Sequence, residues 1–168
     1  MNNIKLALLF ILLVLLQVLI LNHIFFLGYA TPFLYIYFLI KMPVSFSKNA
    51  VIFLGFMLGL IIDIFCYTPG INAAATTFTA FLRYPVQQLF FEKEEFEHIE
   101  PKLSSLGGSF IKYTILIILI HHSSLIILEY FSFFNIKTIL LRIISSSLLT
   151  FIIIFAIEGF SIKKKKIA

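Results

Sequence analysis

The amino-acid sequence predicts an all-α membrane protein, a single bundle of about six transmembrane helices. Three observations lead there. Of the 168 residues, 61% are hydrophobic and only 12% charged, with a mean hydropathy of +1.06, and a soluble domain of this length cannot bury so much apolar surface. Several apolar runs approach or exceed about 18 residues, the length of a membrane span. These runs are continuous rather than alternating, so helices rather than a closed barrel satisfy the backbone.

The first span runs from Ile4 to about Leu27, with Gln17 as its interior polar residue. Its apolar core exceeds the roughly 7–15 residues of a secretory signal, so an uncleaved helix is expected. The second segment, Gly28 to Met42, is short: Pro32 to Ile40 is nine residues, ended by Lys41. Pro32 suits a helix's first turn. The segment either crosses by borrowing Phe25 to Ala30 or lies half-way across. Lys41 to Lys48 is a turn, and the third helix follows from about Asn49 to Phe65. Cys66 to Gly70 is a tight uncharged turn, since Pro69-Gly70 is strong punctuation. The fourth helix begins near Ile71 and passes Arg83, Pro85, Gln87 and Gln88 before Phe91. Its second half is polar and expected to kink at Pro85.

Residues 92–109 form an acidic loop, beginning Glu92-Lys-Glu-Glu and ending at Gly107-Gly108. The fifth helix covers about Phe110 to Tyr130 and the sixth about Thr138 to Phe160. A basic tail, 161–168, holds Lys163 to Lys166. Such a cluster beside a span attracts anionic membrane lipid, at about 1 kcal/mol per lysine.

Six helices with both termini in the cytoplasm place only Lys137 and Arg142, of 13 lysines and arginines, on the outer side. That agrees with the excess of basic residues on cytoplasmic loops. If the second segment does not cross, five helices move only Lys5 to the other side. The even six is the expectation adopted, with the acidic loop and the tail cytoplasmic.

The stretch from Gly55 to Arg83 differs from the hydrocarbon around it. Gly55, Gly59 and Asp63 stand at i, i+4 and i+8, one stripe of a helix. Glycines so spaced let a second backbone approach closely in lipid. The fourth helix offers the matching small surface, Ala73 to Thr77 with Thr79 and Ala80. A tight hairpin of the third and fourth helices is the inference. Asp63 lies 14 residues past Asn49, a rise of about 21 Å through a core of roughly 30 Å. It therefore falls in the outer third, just before the turn. One use for it is a carboxylate for protons, ions or partners. The other is acceptance of hydrogen bonds from the Cys66–Asn72 turn and the fourth helix's N-terminus, where the dipole favours an anion.

Other polar residues are fewer. His121 and His122 are about 100° apart on a helix and do not chelate as an i, i+4 pair does. His122 shares a stripe with Ile126 and Glu129, making a His–Glu contact plausible, though a polar bridge between helices suits it better. Arg83 and Glu158 both fall in the inner third and are expected to form an ion pair, unless Arg83 snorkels to the headgroups. Ser145 to Ser147 offer another small packing surface. Cys66 is the sole cysteine, which excludes an internal disulfide and a cysteine-based metal site. No zinc-protease, serine-hydrolase or phosphate-loop motif is present. Glu94-Glu95 resembles the paired glutamates of intramembrane CAAX-type proteases, but Ile99 stands where that motif requires arginine. No catalytic residue, cofactor or metal is expected.

Gly55-Phe-Met-Leu-Gly59-Leu-Ile-Ile-Asp63-Ile-Phe, followed by Pro69-Gly70-Ile-Asn-Ala-Ala-Ala, resembles the rod shape-determining protein MreD family. The Pro32-Phe-Leu-Tyr segment and the length agree with it, and the aromatic-rich, poorly charged style resembles its Bacteroidetes members. Residues 55–82 are the specific part, and Gly55, Gly59, Asp63 and Gly70 match the family pattern directly. The resemblance implies a non-enzymatic component of the cell-elongation machinery in the bacterial inner membrane. Its implied partners are MreC, the actin-like MreB filament, RodA and a class B penicillin-binding transpeptidase. It also implies a six-helix fold similar to the substrate-binding components of energy-coupling-factor transporters. That similarity supplies the alternative, a subunit that binds or transports a small ligand.

Overall fold

A computed structural model describes residues 3–26, 28–91, 100–130 and 135–167, with side chains described to residue 160. Residues 92–99 of the acidic loop, including Glu94 and Glu95, and the side chains of the lysine tail lie outside the described residues. The helices are α1 (Asn3–Leu19), α2 (Tyr37–Lys41), α3 (Lys48–Cys66), α4 (Ile71–Phe90), α5 (Leu103–Tyr130) and α6 (Ile136–Ile167). Among the described residues there is no β-strand, only an isolated bridge between Phe26 and Ala30. The expectation of an all-α bundle holds.

Among the described residues four stretches are long and apolar enough to cross a membrane: Ile4–His23, Lys48–Cys66, Leu103–Tyr130 and Ile136–Phe160. Their outward faces are hydrocarbon, as on α1 with Leu8, Ile11, Leu12, Leu15 and Leu19 exposed. In α4 the 20 residues give about 30 Å of helix, enough for a crossing, yet the sequence is too polar to count among the four. The reason is position. α4 packs between α3 and α5, and Asn72, Thr76, Thr79, Arg83 and Gln87 are all buried in it. Polar groups shielded by neighbouring helices escape the cost of exposure to lipid, and all of these but Gln87 find a hydrogen-bond partner among the described residues.

The first helix ends earlier than expected, at Leu19, followed by a 3-10 turn at Leu21–His23. The fifth starts earlier, at Leu103, with a break at Gly107 (φ 50°, ψ −122°) that only glycine accommodates easily. The second segment corrects the expectation most. It forms only a 3-10 turn, Leu34–Ile36, and the five-residue α2, so it is not a membrane-length helix. It is nevertheless the centre of the molecule. Leu34 to Ile40 are buried on every side, with Tyr35, Ile36, Leu39 and Ile40 at 0% exposure. Thr31 lies against Ser146 of α6, and Lys41 against Glu158 of the same helix. Those α6 positions are about 18 Å apart at 1.5 Å per residue. The segment thus traverses the bundle as irregular chain, one 3-10 turn and one short helix, wrapped in longer helices.

Candidate functional site: a polar network around a buried segment

Irregular backbone at membrane depth is tolerated only where protein satisfies it. Side chains of three helices do so here. From α1, Gln17 Oε1 accepts from the Leu34 N–H at 2.9 Å, and its Nε2 donates to the Pro32 carbonyl at 3.0 Å and to Asn22 Oδ1 at 2.6 Å. From α6, Ser146 accepts the Thr31 N–H and Thr150 the Phe33 N–H, each at 3.1 Å. From α4, Arg83 donates through Nε to the Leu39 carbonyl at 2.8 Å and through Nη2 to the carbonyls of Met42 and Pro43. Gln17 and Arg83 are at 0% and 3% exposure. They complete the backbone of a segment that cannot complete its own.

Two carboxylates lock the network at opposite ends. Asp63 sits on the buried stripe of α3 with Gly55 and Gly59. Its Oδ1 accepts from Thr68 Oγ1 at 2.5 Å, from the Asn72 N–H at 3.0 Å and from Asn72 Nδ2 at 2.9 Å. Its Oδ2 accepts from the Ala73 N–H at 2.8 Å. The N–H groups that open α4 have no partners within the helix, and the carboxylate supplies them along with favourable charge at the dipole. The α3–α4 turn shapes the approach. Tyr67 is left-handed (φ 56°) and Gly70 likewise (φ 78°), with Pro69 between them.

Glu158 does the equivalent work at the other end. Its Oε1 accepts from Tyr37 Oη at 2.5 Å and Lys41 Nζ at 2.7 Å, and its Oε2 accepts the Leu103 N–H that opens α5 at 3.1 Å. The expected Arg83–Glu158 ion pair is therefore corrected: the guanidinium goes to backbone carbonyls, and Glu158 takes Lys41 instead. The planar fork of arginine suits several carbonyls at once.

The histidines join the same system, and donor rules fix their tautomers. Asn72 gives its Nδ2 to Asp63, so its Oδ1 is left to accept from Tyr35 Oη at 2.7 Å. Tyr35 has one proton, so His121 Nε2, 3.0 Å away, is the donor to it. His121 Nδ1 is then unprotonated, and it has no partner among the described residues. His122 Nδ1 donates to the Ile118 carbonyl at 2.9 Å, and its Nε2 accepts from Thr150 Oγ1 at 3.0 Å. His122 thus makes the polar bridge between helices that suited it better in the sequence, from α5 to α6, while Glu129 lies 3.6 Å from Arg142.

Helix packing follows the small-residue stripe. A Cβ on Gly55 would meet Ala80 Cβ at 2.9 Å, and one on Gly59 would meet the Asn72 carbonyl oxygen at 2.4 Å and Ala73 Cα at 2.6 Å. The threonines of α4 return their hydroxyls to their own helix, Thr76 to the Asn72 carbonyl and Thr79 to that of Ala75, both at 2.7 Å. Intrahelical bonding of this kind lets the surface pack without a partner for each hydroxyl.

The network joins Asp63, Arg83, His122 and Glu158 through segment 31–43 and not through direct pairing, while Gly55, Gly59 and Gly70 shape the α3–α4 hairpin beside it. Sequence reading missed the members that hold that segment: Tyr35, Tyr37, Lys41, Ser146 and Thr150. Among the described residues no three His, Cys, Asp or Glu side chains gather where a metal ion would sit. The chain matches no protein-family model, no curated protein and no solved structure with which it was compared.

Proposed function

We propose that the chain is a non-enzymatic scaffold of the cell-elongation machinery in the bacterial inner membrane, acting in cell shape and peptidoglycan synthesis. The observation that carries this reading is how the intramembrane polar side chains are used. Gln17, Asp63, Arg83, His122 and Glu158 all bond to this chain's own backbone or side chains. A transport site would instead present polar groups converging on a mid-membrane pocket. The choice of machinery rests on the resemblance of residues 55–82 to the MreD family. MreC, MreB, RodA and a class B penicillin-binding transpeptidase are the partners, docking on outward helix faces. In this reading segment 31–41 and α4 complete six crossings, both termini are cytoplasmic, and the Glu158 end faces inward.

A second reading, a subunit that binds or carries a small ligand, is favoured by one observation. A cavity of about 350 Å³ opens near the Asp63 end, within the ~300–1,000 Å³ of small-molecule sites. Depletion in the native bacterium, with affinity purification of the tagged chain, separates the two. Loss of rod shape with co-purified cell-wall synthesis proteins is expected. Normal shape with none of those proteins recovered removes the scaffold reading.

A further inference from the structure

The cavity at the Asp63 end holds a cation–anion pair that the network does not use. Arg142 and Glu129 line it, together with Asn22, Thr68, Asn72 and Ser146. The Arg142 guanidinium carbon lies 5.1 Å from the centre of the Phe25 ring and 5.3 Å from that of Tyr130. Its approach to Glu129, at 3.6 Å, is too long for a good hydrogen bond. Among the described residues the guanidinium has no other polar partner, so its donors remain available. A planar fork with free donors recognises an oxyanion, phosphate above all. The Glu129 carboxylate beside it, 44% exposed, suits a primary amine.

A second hollow, of about 260 Å³, adjoins the first and is lined by hydrocarbon: Phe26, Leu141, Leu148, Leu149 and Ile152. Tyr29 lines both. From Leu141 to Ile152 the apolar hollow follows about 16 Å of α6. A zwitterionic polar end therefore continues into a groove suited to an acyl chain.

We propose that these two hollows form one binding site for a membrane lipid whose headgroup carries a phosphate and a primary amine, as in phosphatidylethanolamine. Arg142 holds the phosphate, Glu129 holds the ammonium, and one acyl chain lies along α6. The inference rests on the ligand-binding use of the cavity and is independent of the scaffold role.

The test uses the purified full chain in detergent, with native mass spectrometry after addition of phosphatidylethanolamine, phosphatidylglycerol or phosphatidylcholine of one acyl composition. The wild type retains phosphatidylethanolamine about tenfold better than either other lipid, the scale of one charge-assisted hydrogen bond. Arg142→Gln, which removes the contact to a phosphate that all three lipids share, lowers the retention of all three and leaves phosphatidylethanolamine ahead. Glu129→Gln, at a half-exposed position, reverses the order in favour of phosphatidylglycerol, a change that mere unfolding does not produce. Equal retention of the three lipids by wild type overturns the proposal, as does an unchanged order in Glu129→Gln. Glycerophosphoethanolamine competing as well as the intact lipid overturns the role of the groove. These readouts do not depend on cell shape, so they stand or fall apart from the scaffold.

Discussion

Replacing Gly59 with alanine forces α3 and α4 apart. The new Cβ would lie 2.3 Å from Thr76 Oγ1, 2.4 Å from the Asn72 carbonyl oxygen and 2.6 Å from Ala73 Cα. The hydroxyl can rotate away, but two of the three obstacles are backbone. Ordinary carbon contacts lie near 3.5–4.0 Å, so the helices must separate by about 1 Å. Overpacking of this kind costs about 1–3 kcal/mol, and backbone collisions belong at the top of that range. Alanine returns up to ~1 kcal/mol through helix propensity. A net loss of about 2 kcal/mol or more is expected, increased if the separation stretches the Asp63 bonds to Asn72 and Ala73. Gly55→Ala meets Ala80 Cβ at 2.9 Å, a methyl fixed on its backbone, and the Thr76 carbonyl oxygen at 3.2 Å, milder collisions that still make the helices give, so its net cost after propensity is about 1 kcal/mol. Gly159 in α6 has nothing within 4 Å of its added Cβ; its alanine variant gains about 0.5–1 kcal/mol. Reversible unfolding in mixed micelles ranks the three. A Gly59→Ala protein as stable as wild type, or less affected than Gly55→Ala, refutes the close backbone approach.

Gln17→Leu strands the Leu34 N–H and the Pro32 carbonyl in the core, at about 1–3 kcal/mol for each unsatisfied group; the same unfolding assay checks the loss, and a neutral result removes Gln17 from the support of the segment. Asp63→Asn turns an amide toward four donors and lowers stability by about 2 kcal/mol or more; hydrogen exchange is expected to quicken at Asn72 and Ala73 before the middle of α4. A double-mutant cycle of Lys41→Met with Glu158→Gln gives a coupling of about 1 kcal/mol or more, while Arg83→Gln with Glu158→Gln adds within ~0.5 kcal/mol. Strong coupling in the second cycle restores the Arg83–Glu158 pair that the geometry rejects.

The hairpin was legible because its signals are local. Glycines at four-residue spacing, a Pro-Gly turn and a run of small residues together describe one tight contact, and Asp63 stands nine residues from the Asn72 N–H it receives. Segment 28–42 was not legible, because no period describes it. It is apolar all round, which signals burial but not conformation. Arg83 was misassigned for a related reason: its partners are carbonyls, and a carbonyl has no letter in a sequence. The early start of α5 depends on Glu158, 55 positions beyond Leu103. A bridge from His122 to another helix was legible, but its partner, Thr150, lies 28 positions away on α6.

The dependence of residues 31–43 on Gln17, Arg83, Ser146 and Thr150 also bears on how the protein is made. A nascent segment with so many unsatisfied backbone groups has no stable place in bare lipid, and of the helices that satisfy it only α1 precedes it, while α4 and α6 emerge from the ribosome later. The segment must therefore wait at the membrane surface or in the insertion machinery until α4 and α6 arrive. Synthesis runs from α1 to α6, but assembly closes in another order, with the second segment seated last.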